Sequence, residues 1–106
     1  MAKIKLRKVT KGQPPRNYNR LCEVSAITDQ PMLGDIARND PDPAVRRLAI
    51  AMLTDQPSLG DVARNDPSWY VRLMAVKKLT DHPTLEYILQ NDKNEKVRVE
   101  AALRLQ

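Results

Sequence analysis

The sequence repeats itself with a strict period of 26 residues. Residues 28–53, 54–79 and 80–105 form three consecutive units that follow one another without insertion or deletion. The first two units share 16 of their 26 residues, and the second and third share 10 of 26. Such a period is typical of stacked structural repeats, in which each unit buries its apolar face against its neighbours. It therefore predicts a stack of units rather than one closed globule.

Each unit divides into two amphipathic halves. In unit one, Leu33, Ile36 and Ala37 follow the i, i+3, i+4 spacing of a helix face. Pro41 ends this first helix, because the residue before a proline is disfavoured in helical conformation. Asp42 can then cap a second helix. We expect helices over about residues 29–39 and 43–53, and at the same positions of the other two units.

Two glycines interrupt the first helices. Gly34 and Gly60 occupy the same position in units one and two. Glycine inside a helix costs roughly 1 kcal/mol relative to alanine. We therefore expect a packing reason for both, such as close approach of another helix.

The N-terminal part of the chain differs from the repeats in charge. Residues 1–20 contain seven basic and no acidic side chains, whereas residues 21–106 carry a formal charge of −2. Counting back one period from unit one aligns residues 18–27 with the second helix of a degenerate unit. We therefore predict a basic, flexible arm over residues 1–17 and a repeat domain over residues 18–106. The cations of the arm are Lys3, Lys5, Arg7, Lys8 and Lys11.

Several functional classes have no support in the sequence. No apolar stretch approaches the roughly 18 residues of a membrane span, and the charged N-terminus lacks the apolar region of a secretory signal. Cys22 is the only cysteine and His82 the only histidine, so neither belongs to a cluster of metal-ligand spacing. No catalytic signature is present. We expect a cytoplasmic, non-enzymatic protein without cofactor, and a buried Cys22, because free cysteine is usually buried.

The repeat TDQPxLGDxARNDPxxxVRxxAxxxL resembles the short bacterial HEAT-like repeat, a unit of two antiparallel helices. This resemblance implies an all-α fold: a right-handed α-solenoid of about three 26-residue repeats with an N-terminal half-repeat. The leucine-rich-repeat variant is similar in period and is the alternative. The HEAT pattern also implies a ladder of aspartates and basic residues along the stack. The matching residues are Asp40, Arg46, Asp66, Arg72, Asp92 and Arg98.

The ladder also has a meaning independent of any family. Aspartate and arginine that recur at one pitch bring opposite charges together in adjacent layers, where they orient the units. Binding of phosphate by the arginines is the alternative role.

The repeat breaks most clearly at Trp69 and Tyr70, at the start of the second helix of unit two. Exposed tryptophan and tyrosine are frequent anchors of protein interfaces. The alternative is that Trp69 packs over the turn between the helices, since tryptophan is highly buried on average. In solenoids that the chain resembles, the second helices line the partner-binding face. The candidate partner-binding residues are Trp69, Tyr70, Arg47, Leu73, Lys77 and Val99.

These observations favour a non-catalytic protein-interaction module or scaffold. The alternative is a nucleic-acid-associated protein that uses the basic arm together with cations of the second helices. Those cations are Arg46, Arg72, Lys77, Lys78, Arg98 and Arg104. Unit three is more apolar than a terminal repeat requires, which makes self-association through it another possibility; the residues concerned are Tyr87, Leu89, Val99 and Leu103. An enzyme related to the bilin-lyase HEAT proteins has only the resemblance of fold in its favour.

Overall fold

The computed structural model describes residues 18–106, which form seven α-helices and no β-strand. The basic arm predicted over residues 1–17 lies outside the described residues. None of the described helices is both long and apolar enough to cross a membrane. The helices are α1 (Tyr18–Ser25), α2 (Gln30–Asn39), α3 (Pro43–Met52), α4 (Gln56–Asn65), α5 (Trp69–Val76), α6 (His82–Asn91) and α7 (Glu95–Arg104).

The helices form two rows. Within each unit the first helix packs on the second: α2 on α3, α4 on α5, and α6 on α7. The first helices α2, α4 and α6 contact one another in sequence order, and so do the second helices α3, α5 and α7. Helix α1 packs on α3 and therefore stands in the second row, where the sequence alignment places residues 18–27.

The helices begin where the capping residues predict. Asp29, Asp55 and Asp81 cap the first helices, and the side chain of each accepts a hydrogen bond from a backbone N–H in the first turn. Hydrogen bonds from Ser58 to Asp55 lower the pKa of that carboxyl, and bonds from Thr84 do the same for the pKa of Asp81. The second helices are capped by the residues at the position of Asp42 in each unit.

Most helix ends agree with the sequence-based expectation within one residue, but α5 is shorter than expected. It ends at Val76 instead of continuing to Leu79. The backbone N–H groups of Lys78 and Leu79 bond to the carbonyls of Ala75 and Val76, three residues earlier. This tightened final turn satisfies the last carbonyls of the helix.

The core is aliphatic and runs without interruption from Val24 to Ala101. It is filled by the residues that recur at helical spacing, as the periodicity predicts. Leu53 and Leu79, the last residues of units one and two, are fully buried. Short helices are marginally stable in isolation, so burial between units supplies the stability that each helix lacks.

Two arginine–aspartate pairs of the ladder, Arg46–Asp66 and Arg72–Asp92, join neighbouring units. Arg46 donates from Nε and Nη2 to the Asp66 carboxylate at 2.8 and 3.3 Å. Its Nη1 donates at 2.8 Å to the backbone carbonyl of Asp40 in its own unit. Arg72 repeats this geometry with Asp92, at 2.8 and 3.2 Å. Each guanidinium thus joins its own inter-helix turn to the aspartate of the next unit.

Helix α1 adds one further rung. Arg20 donates from Nε to the Asp40 carboxylate at 2.9 Å. The guanidinium of this rung is partly in water, since 43% of the Arg20 side chain is exposed, whereas the Asp40 side chain is only 6% exposed. Arg20 therefore belongs structurally to the repeat domain, although the charge count groups it with the basic arm.

A second set of contacts joins the ends of the second helices. Gln30 and Gln56 each donate to a carbonyl at the end of the second helix of their own unit, and each accepts from the first N–H of the next unit. Lys78 donates to the carbonyls of Ile50 and Ala51 at 2.8 and 2.9 Å. Burial lowers the pKa of Lys78. These polar residues hold successive units in register.

The two helix-one glycines differ in their surroundings. A Cβ atom added at Gly34 would stand 2.7 Å from Ser58 Oγ and 3.2 Å from Ser58 Cβ, so α2 approaches α4 closely at this point. At Gly60 the nearest atom is Arg64 Nη1 at 3.5 Å, which is ordinary contact. The expected packing reason is therefore confirmed for Gly34 and wrong for Gly60.

The expectation that Cys22 is buried is wrong. Its side chain is exposed on α1. One period later the same position holds Leu48, which is half-buried. Leu48 and Met74, at this position in units one and two, pack against the core, whereas in α1 and the turn after it Val24, Leu21 and Ile27 do so.

Candidate interaction surface on the second helices

The second row presents a continuous outer surface. Helices α3, α5 and α7 lie side by side because each packs on the next. Arg47, Leu73 and Val99 occupy the same position of the repeat, one on each of these helices. Arg47 and Leu73 are half-buried, and Val99 is 49% exposed. We call this surface the second-helix face; it comprises Arg47, Trp69, Tyr70, Leu73, Lys77, Lys96, Val99 and Leu103.

On this face a pair of aromatic rings lies between two cations. The Arg47 guanidinium carbon lies 5.3 Å from the centre of the Tyr70 ring. Tyr70 meets Trp69 edge to face, with ring centres 5.6 Å apart and planes at 86°. The Lys96 ammonium lies 5.4 Å from the centre of the Trp69 ring. The four side chains therefore link the second helices of all three units, and cation–π attraction holds them in place.

The two aromatic residues are accessible. Trp69 is 38% exposed and Tyr70 44% exposed. Trp69 also borders a cleft of about 530 Å³ lined by the turns of units two and three, including Pro67 and Lys93. The tryptophan thus lies beside the turn, as the alternative interpretation expected, and is nevertheless open to solvent.

A groove between α5 and α7 adjoins the aromatic pair. Its volume is about 460 Å³. Leu73 and Val99 are its apolar lining residues, and the other lining side chains are charged, two of each sign. The lining residues are Leu73, Lys77, Glu95, Lys96, Val99 and Glu100. Four of the six candidate residues, Trp69, Tyr70, Leu73 and Val99, together with the neighbouring Leu103 at 55% exposure, offer apolar surface.

Most cations that the nucleic-acid alternative requires are engaged elsewhere. Arg46 and Arg72 bind aspartates of the ladder. Lys78 is bound to carbonyls at the end of α3, and Arg104 Nε donates to the Leu79 carbonyl at 3.0 Å. Arg98 donates to the Asp92 carbonyl. Of the six cations, Lys77 is the one exposed on the second-helix face.

Lys96 is a part of this surface that the sequence did not single out. The repeat does place Lys96 at the position of Tyr70, one unit later, and this alignment could have indicated that Lys96 belongs to the same surface. A residue at that position necessarily stands beside the aromatic pair once the second helices are packed side by side. In the aligned sequences Lys96 simply replaces Tyr70. In the folded protein its ammonium group lies next to the Trp69 ring.

The remaining sequence candidates lie apart from this face. His82 is exposed at the start of α6, at the position where units one and two carry the bridging glutamines. Within residues 18–106, no three His, Cys, Asp or Glu side chains are grouped closely enough to hold a metal ion. Tyr87 and Leu89 are exposed on α6, at 52% and 36%.

No protein-family model matches this chain, and neither a curated protein nor a solved structure is significantly similar to it. Any assignment of function therefore depends on the repeat and on the surfaces described above.

Proposed function

We propose that this chain is a non-catalytic protein-interaction module built as a HEAT-like right-handed α-solenoid. The strict repeat supports the solenoid, as do the two rows in which each unit packs on the next. The elongated dimensions, 48 × 27 × 25 Å, are also those of a stack. Solenoids of this kind present extended surfaces for partners.

The observation that carries the functional proposal is the exposure of aromatic and aliphatic side chains together on the second-helix face. Trp69 and Tyr70 are held by Arg47 and Lys96, so their rings are preorganised before any partner arrives. Preorganisation lowers the entropic cost of binding. Tryptophan, tyrosine and arginine are the residues most enriched among those that dominate binding energy.

The groove between α5 and α7 suits an amphipathic helix of a partner protein. Apolar side chains of such a helix would cover Leu73 and Val99, which form the apolar part of the groove. The charges around it, Lys77 and Lys96 against Glu95 and Glu100, balance to zero. A partner segment of mixed charge fits this groove better than a polyanion, because a polyanion would meet two carboxylates and few unpaired cations.

Site-specific photocrosslinking tests the proposal. A photoreactive amino acid at position 73 of the full chain is expected to capture a protein partner from the native cell. A matched photoreactive group at Glu86, exposed on a first helix, controls for incidental encounters. The captured protein is then titrated with purified wild-type and Trp69→Ala chains. We expect at least a tenfold loss of affinity in the variant; equal capture at both positions, or equal affinity, refutes the assignment of this face.

The nucleic-acid alternative depends on the basic arm. Seven cations without a single acid in residues 1–20 are a specific reason to keep it. Salt-dependent DNA binding that disappears on deletion of residues 1–17 would support it. Absence of DNA binding at low salt would eliminate it and leave the protein-interaction proposal intact.

A further inference from the structure

The last turns of the first helices carry an arginine in units one and two. Arg38 and Arg64 occupy the same position of the repeat. Arg38 donates from Nη1 to the Ser58 hydroxyl of the next unit at 3.0 Å. Arg64 donates in the same way to the Thr84 hydroxyl, at 3.5 Å. Both guanidinium groups are thus held against the unit that follows.

The two arginines differ in the carboxylate available to them. Arg38 Nε lies 3.7 Å from the Asp61 carboxylate of the next unit. The same position in unit three is Tyr87, so Arg64 has no counterpart of this ion pair. Among residues 18–106, no carboxylate lies within 4.0 Å of Arg64, and residues 1–17 contain no acidic side chain.

The more distant carboxylates are the same for both arginines. After the hydrogen bonds from Thr84, the charge of Arg64 contributes to the lowered pKa of Asp81. Arg38 acts in the same way on the pKa of Asp55, where hydrogen bonds again come first. This attraction is common to both units, so the missing ion pair is what distinguishes Arg64.

Lys93 adds a second cation beside Arg64. It stands at the position that Pro41 and Pro67 occupy in the first two units. Lys93 is exposed, and within the described part of the chain no carboxylate lies within 4.0 Å of it. Arg64 and Lys93 both line the cleft of about 530 Å³ between the turns of units two and three. We call it the turn cleft; its lining residues include Arg64, Asp66, Trp69, Asp92 and Lys93.

The aspartates of the turn cleft do not offset these two cations. Asp66 is bound by Arg46, and Asp92 is bound by Arg72. Each carboxylate also accepts a backbone N–H bond from its own turn, at 2.9 and 2.8 Å. Their charges are therefore neutralised within the ladder, and the two cations leave the turn cleft with an excess of positive charge.

The corresponding cleft between units one and two provides an internal comparison. Its volume is about 220 Å³, and Arg38 and Asp61, which line it, form the ion pair described above. Its turn residue is Pro67, so it has no second cation. This cleft is open although a third unit follows it, which shows that such clefts form between neighbouring turns wherever two units stack. The positive charge, in contrast, belongs to the turn cleft alone of the two.

We propose that the turn cleft binds a phosphate monoester group. Such a group carries about −1.5 to −2 charges at neutral pH and has three strong acceptor oxygens. The guanidinium of Arg64 and the ammonium of Lys93, from neighbouring units, match this charge, whereas a carboxylate would satisfy only one of them. Tyr87 borders a small adjoining pocket together with Arg64. Its hydroxyl can donate to an anion, which the aspartate at this position in unit two would repel.

A phosphorylated protein side chain and a free phosphorylated metabolite both carry this group. The site lies outside the groove between α5 and α7, and the inference does not depend on the proposed function. Trp69 is the only tryptophan of the chain and lines the turn cleft. Its fluorescence therefore reports directly on occupancy of the site.

The test titrates the full-length chain at constant ionic strength and follows the fluorescence of Trp69. The probes are a phosphoserine tripeptide with alanine on either side, the same peptide with serine or glutamate in its place, and glycerol phosphate. Both monoesters are expected to bind, and the glutamate peptide should bind about tenfold more weakly, since it carries one charge. Tighter binding of the phosphopeptide identifies a protein side chain as the source, and tighter binding of glycerol phosphate identifies a metabolite; either result supports the site.

Variants that exchange residues between units show which side chains bind. Arg64→Gln and Lys93→Pro each remove one cation and should weaken binding by about fivefold. Lys93→Pro introduces the residue of the first two units, so the turn can accommodate it. Tyr87→Asp introduces the carboxylate of unit two and should abolish binding, because that carboxylate pairs with Arg64. Arg38→Gln is the matched control and should bind as the wild type does.

Far-UV circular dichroism checks that each variant is folded, and the NMR signal of Arg64 Nε–H should shift when a monoester is added. Equal affinity for the phosphoserine and glutamate peptides overturns the proposal, as does affinity that is unchanged in Arg64→Gln. Absence of both the fluorescence change and the NMR shift at millimolar monoester also overturns it. An equal loss of affinity in Arg38→Gln does so too, because the binding would then be a general effect of charge. None of these outcomes bears on the crosslinking at position 73.

Discussion

We predict that mutating an inner arginine–aspartate pair of the ladder lowers the free energy of unfolding more than mutating the outer pair. We consider Asp66→Asn, which keeps an oxygen to accept the Ser68 N–H bond but removes the negative charge that faces Arg46. The side chains of Arg46 and Asp66 are only 9% and 2% exposed. The substitution therefore leaves a largely buried guanidinium with its turn-carbonyl bond and without its counter-ion.

The expected magnitude follows from this burial. Breaking a buried ion pair by removing one partner costs about 3–5 kcal/mol, and we place Asp66→Asn near the lower end, at about 3 kcal/mol, because the amide still offers one acceptor. For Arg20→Gln, the lost guanidinium is 43% exposed, and the Asp40 carboxylate, although only 6% exposed, keeps its bond from the Asp42 N–H; we therefore expect a smaller cost, about 1 kcal/mol. Since small domains are stable by only about 5–15 kcal/mol in total, the two variants should be clearly distinguishable.

The stabilities of both variants are measured by urea unfolding, with far-UV circular dichroism as the signal. Linear extrapolation gives each free energy of unfolding, provided that the slope with urea is unchanged. The double variant Arg46→Met, Asp66→Leu removes both charges and should recover much of the stability lost in Asp66→Asn. Equal costs for Asp66→Asn and Arg20→Gln would refute the argument that burial of the ladder decides its energetic role.

Two further predictions concern the first helices. Gly60→Ala should raise the free energy of unfolding by about 1 kcal/mol, because alanine is the better helix former and its Cβ has room. Gly34→Ala should give no such gain, because its Cβ would force Ser58 to move. Equal gains for the two variants in thermal or urea unfolding would contradict this prediction. Asp55→Asn should destabilise the chain at neutral pH, and the difference from wild type should shrink as pH falls below the ordinary pKa of 3.8. The sign follows because hydrogen bonding lowers the folded-state pKa of Asp55, so its contribution is present above the unfolded value and lost on protonation; a difference independent of pH would refute it.

Much of the helical architecture could be predicted from local signals. The spacing of Leu33 and Ile36, the break at Pro41 and the cap at Asp42 all act within a few residues, and α2 and α3 begin and end close to the expected positions. The shortening of α5 could not be predicted, because Leu79 continues the helical apolar pattern. In the tight final turn Lys78 donates to the carbonyls of Ile50 and Ala51 in the previous unit, a contact that no local signal encodes.

The candidate site was predictable in part. Trp69 and Tyr70 could be found because they interrupt the repeat. Their exposure, and the contacts with Arg47 and Lys96, depend on how far apart neighbouring second helices lie, which no single unit encodes.

The amino-acid sequence by itself determined the period, the helices, the aliphatic core and the residues of the ladder, because caps, prolines and apolar spacing act over one or two helical turns. Only the tertiary structure decided which charges meet. Aspartate and arginine lie six residues apart within a unit, yet the carboxylate that Arg46 binds is Asp66, twenty residues away in the next unit. Packing between units brings those two side chains together.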